Sequence, residues 1–205
     1  FQEGNHKLCS YWKHDKVLES KDRLNLKERN FDGCVDLVEN GLMMSVKSHM
    51  QSDVPYGAFL SGGIDSSIIV ALMQKQSLKK INTFSIGFKE KAHDESKHAN
   101  IVANHIGTNH NEIIINHNDV INALMDSSKY FDEPFADSSC LPTELISRFA
   151  SNHVKVVLSG DGADELFFGY NRYKFSQKIE KFNSFFPQSL RKKIQSFLLR
   201  RRVIV

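Results

Sequence analysis

The sequence predicts an α/β fold, in which an open, doubly wound and mainly parallel sheet carries helices on both faces. Short β-branched segments alternate with amphipathic segments of roughly ten or more residues, and connections of that length favour parallel pairing through right-handed crossovers. The 205 residues, of which 40% are apolar, suffice for one such domain with a buried core. Two glycine-containing loops follow predicted strands, and in this architecture ligands bind beyond the carboxyl ends of the strands.

The first predicted elements are a helix, a strand and a second helix. Residues 31–50 carry apolar side chains near helical spacing, namely Cys34, Leu37, Val38, Leu42 and Val46. Pro55 precedes a short apolar strand over residues 56–60. The loop Ser61-Gly62-Gly63 follows, and the next helix places its apolar side chains at Ile68, Ile69, Leu72 and Met73.

The middle of the chain alternates strands and helices. INTFSIGF, residues 81–88, is typical of a strand, and DESKHANIVANHIG is typical of a helix that ends at Gly107. NHNEIIIN, residues 109–116, predicts a third strand, and DVINALMDSSKYF, residues 119–131, predicts a further helix.

The last predicted elements lead to a second unusual loop. PTELISRFASNH is predicted to be a helix that Pro142 opens, and VKVVLS, residues 154–159, is predicted to be the fourth strand. A second glycine-containing loop then leads into DELFFGYNRYKFSQKI. Both unusual loops therefore leave the carboxyl ends of predicted strands.

Composition and charge exclude several classes of protein. The net charge of +3 is slight and comes largely from the end LRKKIQSFLLRRRVIV, which favours a solvated helix face. No other basic-aromatic pattern indicates a nucleic-acid partner. The cysteines Cys9, Cys34 and Cys140 have neither metal nor disulfide spacing, which favours reduced thiols and a cytoplasmic location. We expect no membrane partner, because no signal peptide or sufficiently long apolar run is evident.

The stretch GAFLSGGIDSS joins a predicted strand to a predicted helix, and its residue types favour an anion site. A glycine-rich turn exposes backbone N–H groups, and those at a helix start have no intrahelical partner. Gly62 and Gly63 allow a ligand to approach the backbone closely. Ser61, Ser66 and Ser67 add hydroxyl donors. The expected ligand is a phosphate or a pyrophosphate.

Asp65 stands beside this predicted phosphate site, where a carboxylate repels phosphate oxygens unless a cation lies between them. Mg²⁺ favours oxygen ligands and substrate phosphates, so a bridging Mg²⁺ is predicted. The loop is neither a Walker A sequence nor a G-x-G-x-x-G fingerprint. An ordinary capped helix start, in which Asp65 interacts with the helix dipole, is the alternative interpretation.

Five segments in order resemble one enzyme family: GAFLSGGIDSS, TFSIGF, DESKHANIVANHIGTNH, DEPFADSSCLPT and VVLSGDGADELFFGYNRY. Ser-Gly-Gly-x-Asp-Ser is similar to the pyrophosphate loop of the N-type ATP pyrophosphatases, which cleave ATP between its α and β phosphates. Together the segments resemble the synthetase domain of glutamine-hydrolysing asparagine synthetases, over roughly residues 55–173. A weaker similarity at Gly4–Trp12 resembles the end of the family's glutaminase domain.

The resemblance implies an adenine nucleotide alpha hydrolase-like fold and three parts of the chain. Residues 1–30 are expected to be a linker remnant from a preceding glutaminase domain that is absent from this chain. Residues 31–180 are expected to form the ATP-binding synthetase domain. Residues 181–205 are expected to be the truncated start of a C-terminal helical region, in which the family places a catalytic lysine beyond the end of this chain.

The second loop, LSGDGADE, carries three carboxylates, Asp161, Asp164 and Glu165. Such dense acidic residues are also typical of a solvated loop or a helix cap. Facing an ATP site, Asp65 from the first loop and Asp164 from the second would hold Mg²⁺ against the pyrophosphate and neutralise the leaving group. Asp161 occupies a position at which the best-known family members carry a Glu that is tied to acyl-adenylate formation and ammonia attack.

The resemblance therefore implies a complete set of site residues. Asp161, Asp65 and Asp164 are the expected catalytic residues, and Asp65 and Asp164 are the expected metal ligands. Leu60 and Ile86 are expected to contribute to the adenosine pocket, and Ser159 and Gly160 to contact the nucleotide. The expected ATP-binding set is Leu60, Ser61, Gly62, Gly63, Asp65, Ser66, Ser67, Ile86, Gly87, Ser159 and Gly160.

An acidic loop and a set of histidines are two further groups of residues to be considered for a functional site. By resemblance, the loop FDEPFADSS borders the acceptor pocket or the ammonia entrance, and its candidate residues there are Asp132, Glu133, Asp137 and Ser138. An ordinary surface loop is the alternative interpretation. A second group consists of histidines whose spacing fits no zinc pattern, so no metal site is predicted at His93, His98, His105 and His110.

The resemblance implies an ATP-dependent ligase. An aspartate carboxylate would attack the α-phosphate of ATP to give β-aspartyl-AMP and pyrophosphate, and ammonia from glutamine would then give asparagine and AMP. A relative that amidates a sugar acid or closes a β-lactam is one alternative. A truncated, catalytically silent nucleotide-binding module is another. For the oligomeric state, the sequence leaves a homodimer as one alternative.

Overall fold

The computed structural model describes residues 8–13, 29–89, 96–133, 137 and 139–184, with side chains described up to residue 180. His93, Ser138 and the basic C-terminal end lie outside these residues, so what the sequence predicts there stays a prediction. The three-part division of the chain also stays a prediction.

Four parallel strands form the sheet of the described chain. They are β1 (Tyr56–Phe59), β2 (Asn82–Phe88), β3 (Asn109–Ile115) and β4 (Val156–Leu158), in the order β3-β2-β1-β4. Each neighbouring pair is parallel, with Phe59 opposite Phe84 and Ala58 opposite Leu158. The predicted α/β fold with a parallel sheet is confirmed.

Helices connect these strands. Their bounds are α1 (Phe31–His49), α2 (Ile64–Lys75), α3 (Ser96–Ile106), α4 (His117–Asp126), α5 (Cys140–Ala150), α6 (Ala163–Phe167) and α7 (Asn171–Ser184), with a 3₁₀ turn at Ser127–Lys129. The Asn30 side chain caps α1 by accepting a hydrogen bond from the Gly33 N–H at 2.9 Å. None of the described helices is both long and apolar enough to cross a membrane.

Two hydrophobic cores cover the two faces of the sheet. On one face, buried residues of α1, α2 and α3 pack on β1 and on the chain just before β2; examples are Val46, Val70, Ala99, Ala58 and Ile81. On the other face, Phe84 of β2 packs against buried residues of α5. Successive side chains of β1 point alternately into these two cores, because the side chains of a strand alternate between its two faces. The sheet is therefore covered on both faces, as a doubly wound fold demands.

The strand order creates a switch point between β1 and β4. The chain moves from β1 outward to β2 and β3, and then returns to place β4 on the other side of β1. The connections through α2 and α3 cover one face, whereas the connection through α5 covers the other. A crevice opens at the carboxyl ends of the strands where the winding reverses, which is where ligands bind in such sheets.

Two helices have bounds that differ from the predicted ones. The helix predicted at residues 119–131 begins at His117, because the Asn116 side chain accepts from the Asn118 and Asp119 N–H groups and Asp119 closes a capping box. It ends at Asp126, and a 3₁₀ turn follows. Pro142 does not open α5, which begins at Cys140. Proline is tolerated there because the N–H groups of a first helical turn have no intrahelical acceptor.

The segment DELFFGYNRYKFSQKI contains two helices separated by a sharp turn. Phe168 ends α6 in the left-handed region at φ 58°, and α7 begins at Asn171. A left-handed residue ends an α-helix because its backbone cannot continue the right-handed hydrogen-bond pattern. The second loop is therefore followed by one short helix and a change of direction.

Candidate active site

A cavity of about 480 Å³ lies at the carboxyl ends of β1, β2 and β4. Its polar wall is formed by Ser61, Asp65, Ser66, Ser85, Thr143, Ser159, Gly160 and Asp161. Its apolar wall is formed by Phe59, Leu60, Ile86, Phe88, Ala99, Pro142 and Ile146. The cavity thus occupies the switch point of the sheet, with a polar end made by both unusual loops.

The first loop is held by close packing of its backbone against α3. Gly62 has φ +83°, a conformation that favours glycine. A Cβ on Gly62 would lie 2.6 Å from the Ala99 nitrogen and 2.6 Å from the His98 carbonyl carbon. Only glycine fits this position, because both the backbone conformation and the space exclude a side chain.

The serine hydroxyls of the first loop brace the loop itself. Ser66 Oγ is buried, accepts a hydrogen bond from the Ser61 N–H at 3.3 Å and donates to the Gly63 carbonyl oxygen at 3.3 Å. Ser67 Oγ donates to the same carbonyl oxygen at 2.6 Å. Ser61 Oγ accepts from the Gly63 N–H at 3.3 Å. These hydroxyls fix the loop, so a ligand is left with the backbone N–H groups and Ser61.

The start of α2 has no side-chain cap. Gly63 is the N-cap residue in extended backbone conformation, and it has no side chain to accept a hydrogen bond. The first helical residues, Ile64, Asp65 and Ser66, therefore present N–H groups without an intrahelical acceptor. Together with the helix dipole, these groups make the polar end of the cavity favourable for an anion.

The second loop lies directly against the first. A Cβ on Gly160 would lie 2.7 Å from the Ser66 nitrogen and 2.8 Å from the Asp65 carbonyl carbon. Ser159 Oγ donates to Asp161 Oδ2 at 2.8 Å, and it accepts from the Asp161 N–H at 3.3 Å. The loops that follow β1 and β4 therefore meet at the start of α2, and the Asp161 carboxylate is held in place by its own loop.

The predicted ATP-binding residues divide between the cavity wall and the layer behind it. Seven of them line the cavity: Leu60, Ser61, Asp65, Ser66, Ile86, Ser159 and Gly160. Four do not, namely Gly62, Gly63, Ser67 and Gly87. Gly87 lies between β3 and α3, where a Cβ would approach Ile114 Cδ1 to 2.6 Å and Ser96 Cβ to 3.1 Å. These four positions shape the loop and the strand rather than the surface of the cavity.

The three predicted catalytic carboxylates have different surroundings. Asp65 and Asp161 are exposed and line the cavity. Asp164 is partly buried and does not line it, and its carboxylate lies where a Cβ of Gly169 would be. The Gly169 N–H donates to the Asp164 carbonyl oxygen at 3.1 Å. In this conformation Asp164 braces the turn after α6.

The carboxylates that line the cavity suit a metal ion whose other ligands are mainly phosphate oxygens of a bound substrate. Among the described residues, no group of three or more His, Cys, Asp or Glu is arranged to hold a metal ion. Mg²⁺, however, is commonly held by one or two carboxylates together with substrate phosphates. Asp65 and Asp161 lie on one wall and provide that number of oxygen ligands.

The histidines of this region have other roles. His98 and His105 are exposed on α3. His110 lies beneath the cavity, with Nδ1 2.9 Å from Thr83 Oγ1 and Nε2 3.2 Å from Ser85 Oγ. Burial lowers the pKa of His110, although the neighbouring Glu112 opposes this shift.

Sequence reasoning missed Ser85 and Thr143, which line the cavity, and the histidine that contacts Ser85. The signal was present in TFSIGF, because Thr83 and Ser85 place two hydroxyls on one face of an otherwise apolar strand. Thr143 gives no such signal. It reaches the cavity because α5 begins two residues earlier than predicted and brings its first turn over the apolar wall.

The described residues of the loop FDEPFADSS do not line the cavity. Asp132 and Glu133 are exposed. The Asp137 carboxylate accepts hydrogen bonds from the Ser139 N–H at 2.9 Å and from the Ser139 hydroxyl at 2.8 Å, and these bonds lower the pKa of Asp137. They order the chain just before α5.

A third acidic residue of the second loop is engaged locally. The Tyr170 hydroxyl donates to Glu165 Oε1 at 2.5 Å, which lowers the pKa of Glu165 and raises that of Tyr170. The Arg172 guanidinium lies 4.2 Å from the centre of the Tyr170 ring. These contacts join α6 to α7.

Comparison with known proteins identifies the family. The family described as asparagine synthase matches residues 37–204. The chain is 44% identical to a putative asparagine synthetase [glutamine-hydrolyzing] 2 of Methanocaldococcus jannaschii, over 71% of this chain and 30% of that protein. It is 39% identical to asparagine synthetase [glutamine-hydrolyzing] 1 of Bacillus subtilis, over 78% of this chain and 25% of that protein.

A solved structure titled NMN synthetase from Francisella tularensis is similar at 20% identity and a TM-score of 0.46, over 64% of this chain and 56% of that one. The chain spans between a quarter and a third of the length of the two asparagine synthetases above. The family match extends over most of the chain and includes both loops that form the cavity. This chain therefore belongs to the asparagine synthase family of ligases and carries its synthetase region.

Proposed function

We propose that this chain carries the ATP-dependent step of amide formation, in which a substrate carboxylate is activated as an acyl-adenylate and then receives ammonia. The observation that carries the proposal is the contact between the two loops, where Gly160 packs on Asp65 and Ser66 at one end of a single cavity. Aspartate is the proposed acceptor and asparagine the product, because the relatives are named asparagine synthetases. Their names also support glutamine as the source of ammonia.

The volume and the lining residues of the cavity suit a nucleotide. Its volume of about 480 Å³ falls within the range of small-molecule sites, which is about 300–1,000 Å³. The uncapped start of α2 suits the phosphates, whereas Leu60, Ile86 and Phe88 offer an apolar wall for the adenosine. Gly160 lies at the phosphate end, where it packs on Asp65 and Ser66, and Ser159 lines the same cavity.

Mg²⁺ would lie beside Asp65 at the phosphate end, where it would neutralise charge on the pyrophosphate. Asp161 lines the same wall, and Asp164 is one turn further along the chain. In the proposal Asp65 provides the first carboxylate. Asp164 provides the second if its side chain leaves Gly169 when the nucleotide binds.

The chemistry requires mainly positioning and charge neutralisation. A carboxylate oxygen of aspartate attacks the α-phosphorus, the bond to the bridging oxygen breaks, and pyrophosphate leaves. Ammonia then attacks the carbonyl carbon, and AMP leaves with the oxygen that joined it to the acyl group. Asp161 lines the cavity and is held by Ser159, and its proposed role is to orient ammonia or accept its proton.

The exchange of labelled pyrophosphate into ATP tests the proposal. We expect exchange that depends on both aspartate and Mg²⁺, and we expect Asp65→Asn to reduce it strongly. Ser151→Ala is a matched control, since this exposed serine lies at the end of α5 away from the cavity. Exchange that appears with another carboxylic acid and not with aspartate would transfer the proposal to that acceptor.

A second candidate is a nucleotide-binding unit that does not turn over by itself. The observation that favours it is that the Asp164 carboxylate lies against Gly169 and does not line the cavity. Calorimetry distinguishes the two candidates, because this unit would bind ATP with Mg²⁺ and show no exchange. A cytoplasmic location belongs to either proposal.

A further inference from the structure

A chain of buried polar groups runs beneath the cavity, between β2, β3 and α3. Ser85 Oγ lies 3.2 Å from His110 Nε2, and His110 Nδ1 lies 2.9 Å from Thr83 Oγ1. Thr83 Oγ1 lies 2.9 Å from Thr108 Oγ1, which donates to the Ala103 carbonyl oxygen at 3.5 Å. Thr83 and Ser85 are 0% and 2% exposed, respectively. At its other end, Ser85 lines the cavity.

The donor in each of these hydrogen bonds follows from the last bond of the series, which joins Thr108 to α3. A hydroxyl has one hydrogen, and we assign that of Thr108 to the Ala103 carbonyl oxygen, which lies 3.5 Å away. Thr108 Oγ1 therefore accepts from Thr83, and Thr83 Oγ1 accepts from the Nδ1–H of His110. A neutral imidazole with its hydrogen on Nδ1 has an acceptor at Nε2. Ser85 consequently donates its only hydrogen to His110, away from the cavity.

His110 is suited to hold this arrangement at neutral pH. Burial lowers the pKa of His110 below its usual 6.5, so the ring is neutral there. The neighbouring carboxylate of Glu112 raises the pKa, but it also accepts a hydrogen bond from Asn100 at 2.7 Å. The charged or titratable groups of α3 are Lys97, His98 and His105, all of them exposed.

We propose that His110 is a positioning residue that presents the Ser85 oxygen as a hydrogen-bond acceptor to a donor group on the nucleoside of ATP. This proposal rests on the function proposed above. Ser85 and Ile86 are consecutive on β2 and both line the cavity, and Ile86 belongs to the wall proposed for the adenosine. The donors that fit are the 6-amino group of adenine and the ribose hydroxyls.

Calorimetry on the full 205-residue chain tests this with four nucleotides in the presence of Mg²⁺. They are ATP, inosine triphosphate, which lacks the 6-amino donor, and the 2′-deoxy and 3′-deoxy forms of ATP. We expect Ser85→Ala to weaken ATP binding about tenfold, as a lost hydrogen bond would. One analogue should bind the unchanged chain about tenfold more weakly than ATP, and Ser85→Ala should cause no further loss with that analogue. Ser151→Ala should change none of the four affinities.

Substitution of His110 separates positioning from a purely structural role. His110→Gln keeps an amide oxygen for Ser85 and an amide N–H for Thr83, and should retain ATP affinity within about twofold. His110→Phe keeps a planar ring without hydrogen bonds, and should lose about as much affinity as Ser85→Ala. If His110→Phe does not fold, the comparison of His110→Gln with the unchanged chain at two pH values still decides.

Protonation of His110 should reverse the arrangement. With a hydrogen on both ring nitrogens, Nε2 donates to Ser85, whose own hydrogen then turns towards the cavity and the ligand's donor. As the pH falls through the lowered pKa of His110, ATP affinity should fall relative to that of His110→Gln, which does not titrate. His105→Gln, on the exposed side of α3, should follow the unchanged chain.

The outcomes are separable. If ATP does not bind the unchanged chain, the proposed function fails and this inference fails with it. If ATP binds and Ser85→Ala weakens all four nucleotides equally, or none of them, the inference alone is overturned. A pH dependence that persists in His110→Gln would likewise overturn the role of His110.

Discussion

The two loops that form the cavity are ordered by different physical means. The loop after β1 is fixed by the packing of Gly62 on α3 and by two serine hydroxyls that donate to one of its own carbonyl oxygens. In the loop after β4, Gly160 packs on the first loop, while Ser159 holds Asp161 and Tyr170 holds Glu165. Substitutions of the packed glycines should therefore act on the shape of the site, and those of the carboxylates on its charge.

The largest effect is expected at Gly62. Gly62→Ala combines a left-handed backbone with a Cβ 2.6 Å from the Ala99 nitrogen, and neither can relax without moving α3. We expect a loss of about 1–3 kcal/mol in the free energy of unfolding and loss of ATP binding. Denaturant unfolding and calorimetry measure the two effects.

Gly41 offers the matched control for this substitution. It lies within α1, and a Cβ there has no neighbour within 4 Å. Gly41→Ala should raise the free energy of unfolding by about 0.5–1 kcal/mol, because alanine favours the helix. A Gly62→Ala variant that binds ATP normally would show that the first loop is not fixed by its backbone.

The contact between the two loops should give the next largest effect. Gly160→Ala places a methyl group 2.7 Å from the Ser66 nitrogen and forces the loops apart. Its backbone is not in the left-handed region, so the cost in stability should be smaller than at Gly62. We expect ATP affinity to fall about tenfold, whereas the unfolding midpoint shifts little. An unfolding defect as large as that of Gly62→Ala would contradict this separation.

Much of this architecture can be predicted from the sequence. Periodicity indicated the four strands, and Ser-Gly-Gly-x-Asp-Ser indicated the loop at the end of β1, because these signals are local. The bounds of α4 were wrong because Asn116 and Asp119 form a capping box that extends the helix at its start. The contact of Gly160 with Ser66 joins residues distant in sequence, and spacing alone does not encode it.

The orientation of Asp164 shows the same limit. Its place in GDGADE suggested a metal ligand, whereas its carboxylate lies against Gly169 beyond the short helix α6. That position depends on the left-handed turn at Phe168, which changes the chain's direction. Residue type therefore indicated a candidate ligand, but the turn that follows decides where its oxygens lie.

The carboxylates of the two loops should differ in how they couple Mg²⁺ to ATP. Asp65→Asn removes a charge beside the phosphates, so the enhancement of ATP affinity by Mg²⁺ should fall about tenfold. Without Mg²⁺, ATP affinity should rise, because the repulsion between this carboxylate and the phosphates is removed as well. Asp164→Asn should have the same effect only if its side chain moves from Gly169 to the cavity. Calorimetry with and without Mg²⁺ measures both. Equal Mg²⁺ dependence in Asp65→Asn and the unchanged chain would remove Asp65 from the proposed metal site.

The smallest effect is expected at the far end of the second loop. The Tyr170 hydroxyl lowers the pKa of Glu165, so this interaction stabilises the fold above the ordinary carboxyl pKa of about 4.5 and is lost as the pH falls through the lowered value. Tyr170→Phe should return the pKa of Glu165 towards 4.5, as a carbon-13 titration would show.

Tyr173→Phe is the control for this last substitution, because Tyr173 contacts the Tyr170 ring and has no hydrogen bond to Glu165 among the described contacts. ATP affinity should remain within about twofold in both variants, since Glu165 and Tyr170 do not line the cavity. If Tyr170→Phe instead weakened ATP binding as strongly as Gly160→Ala, the side-chain contacts of the second loop would also set the shape of the site. The contrast between the packed glycines and the side-chain contacts of the second loop would then no longer separate shape from charge.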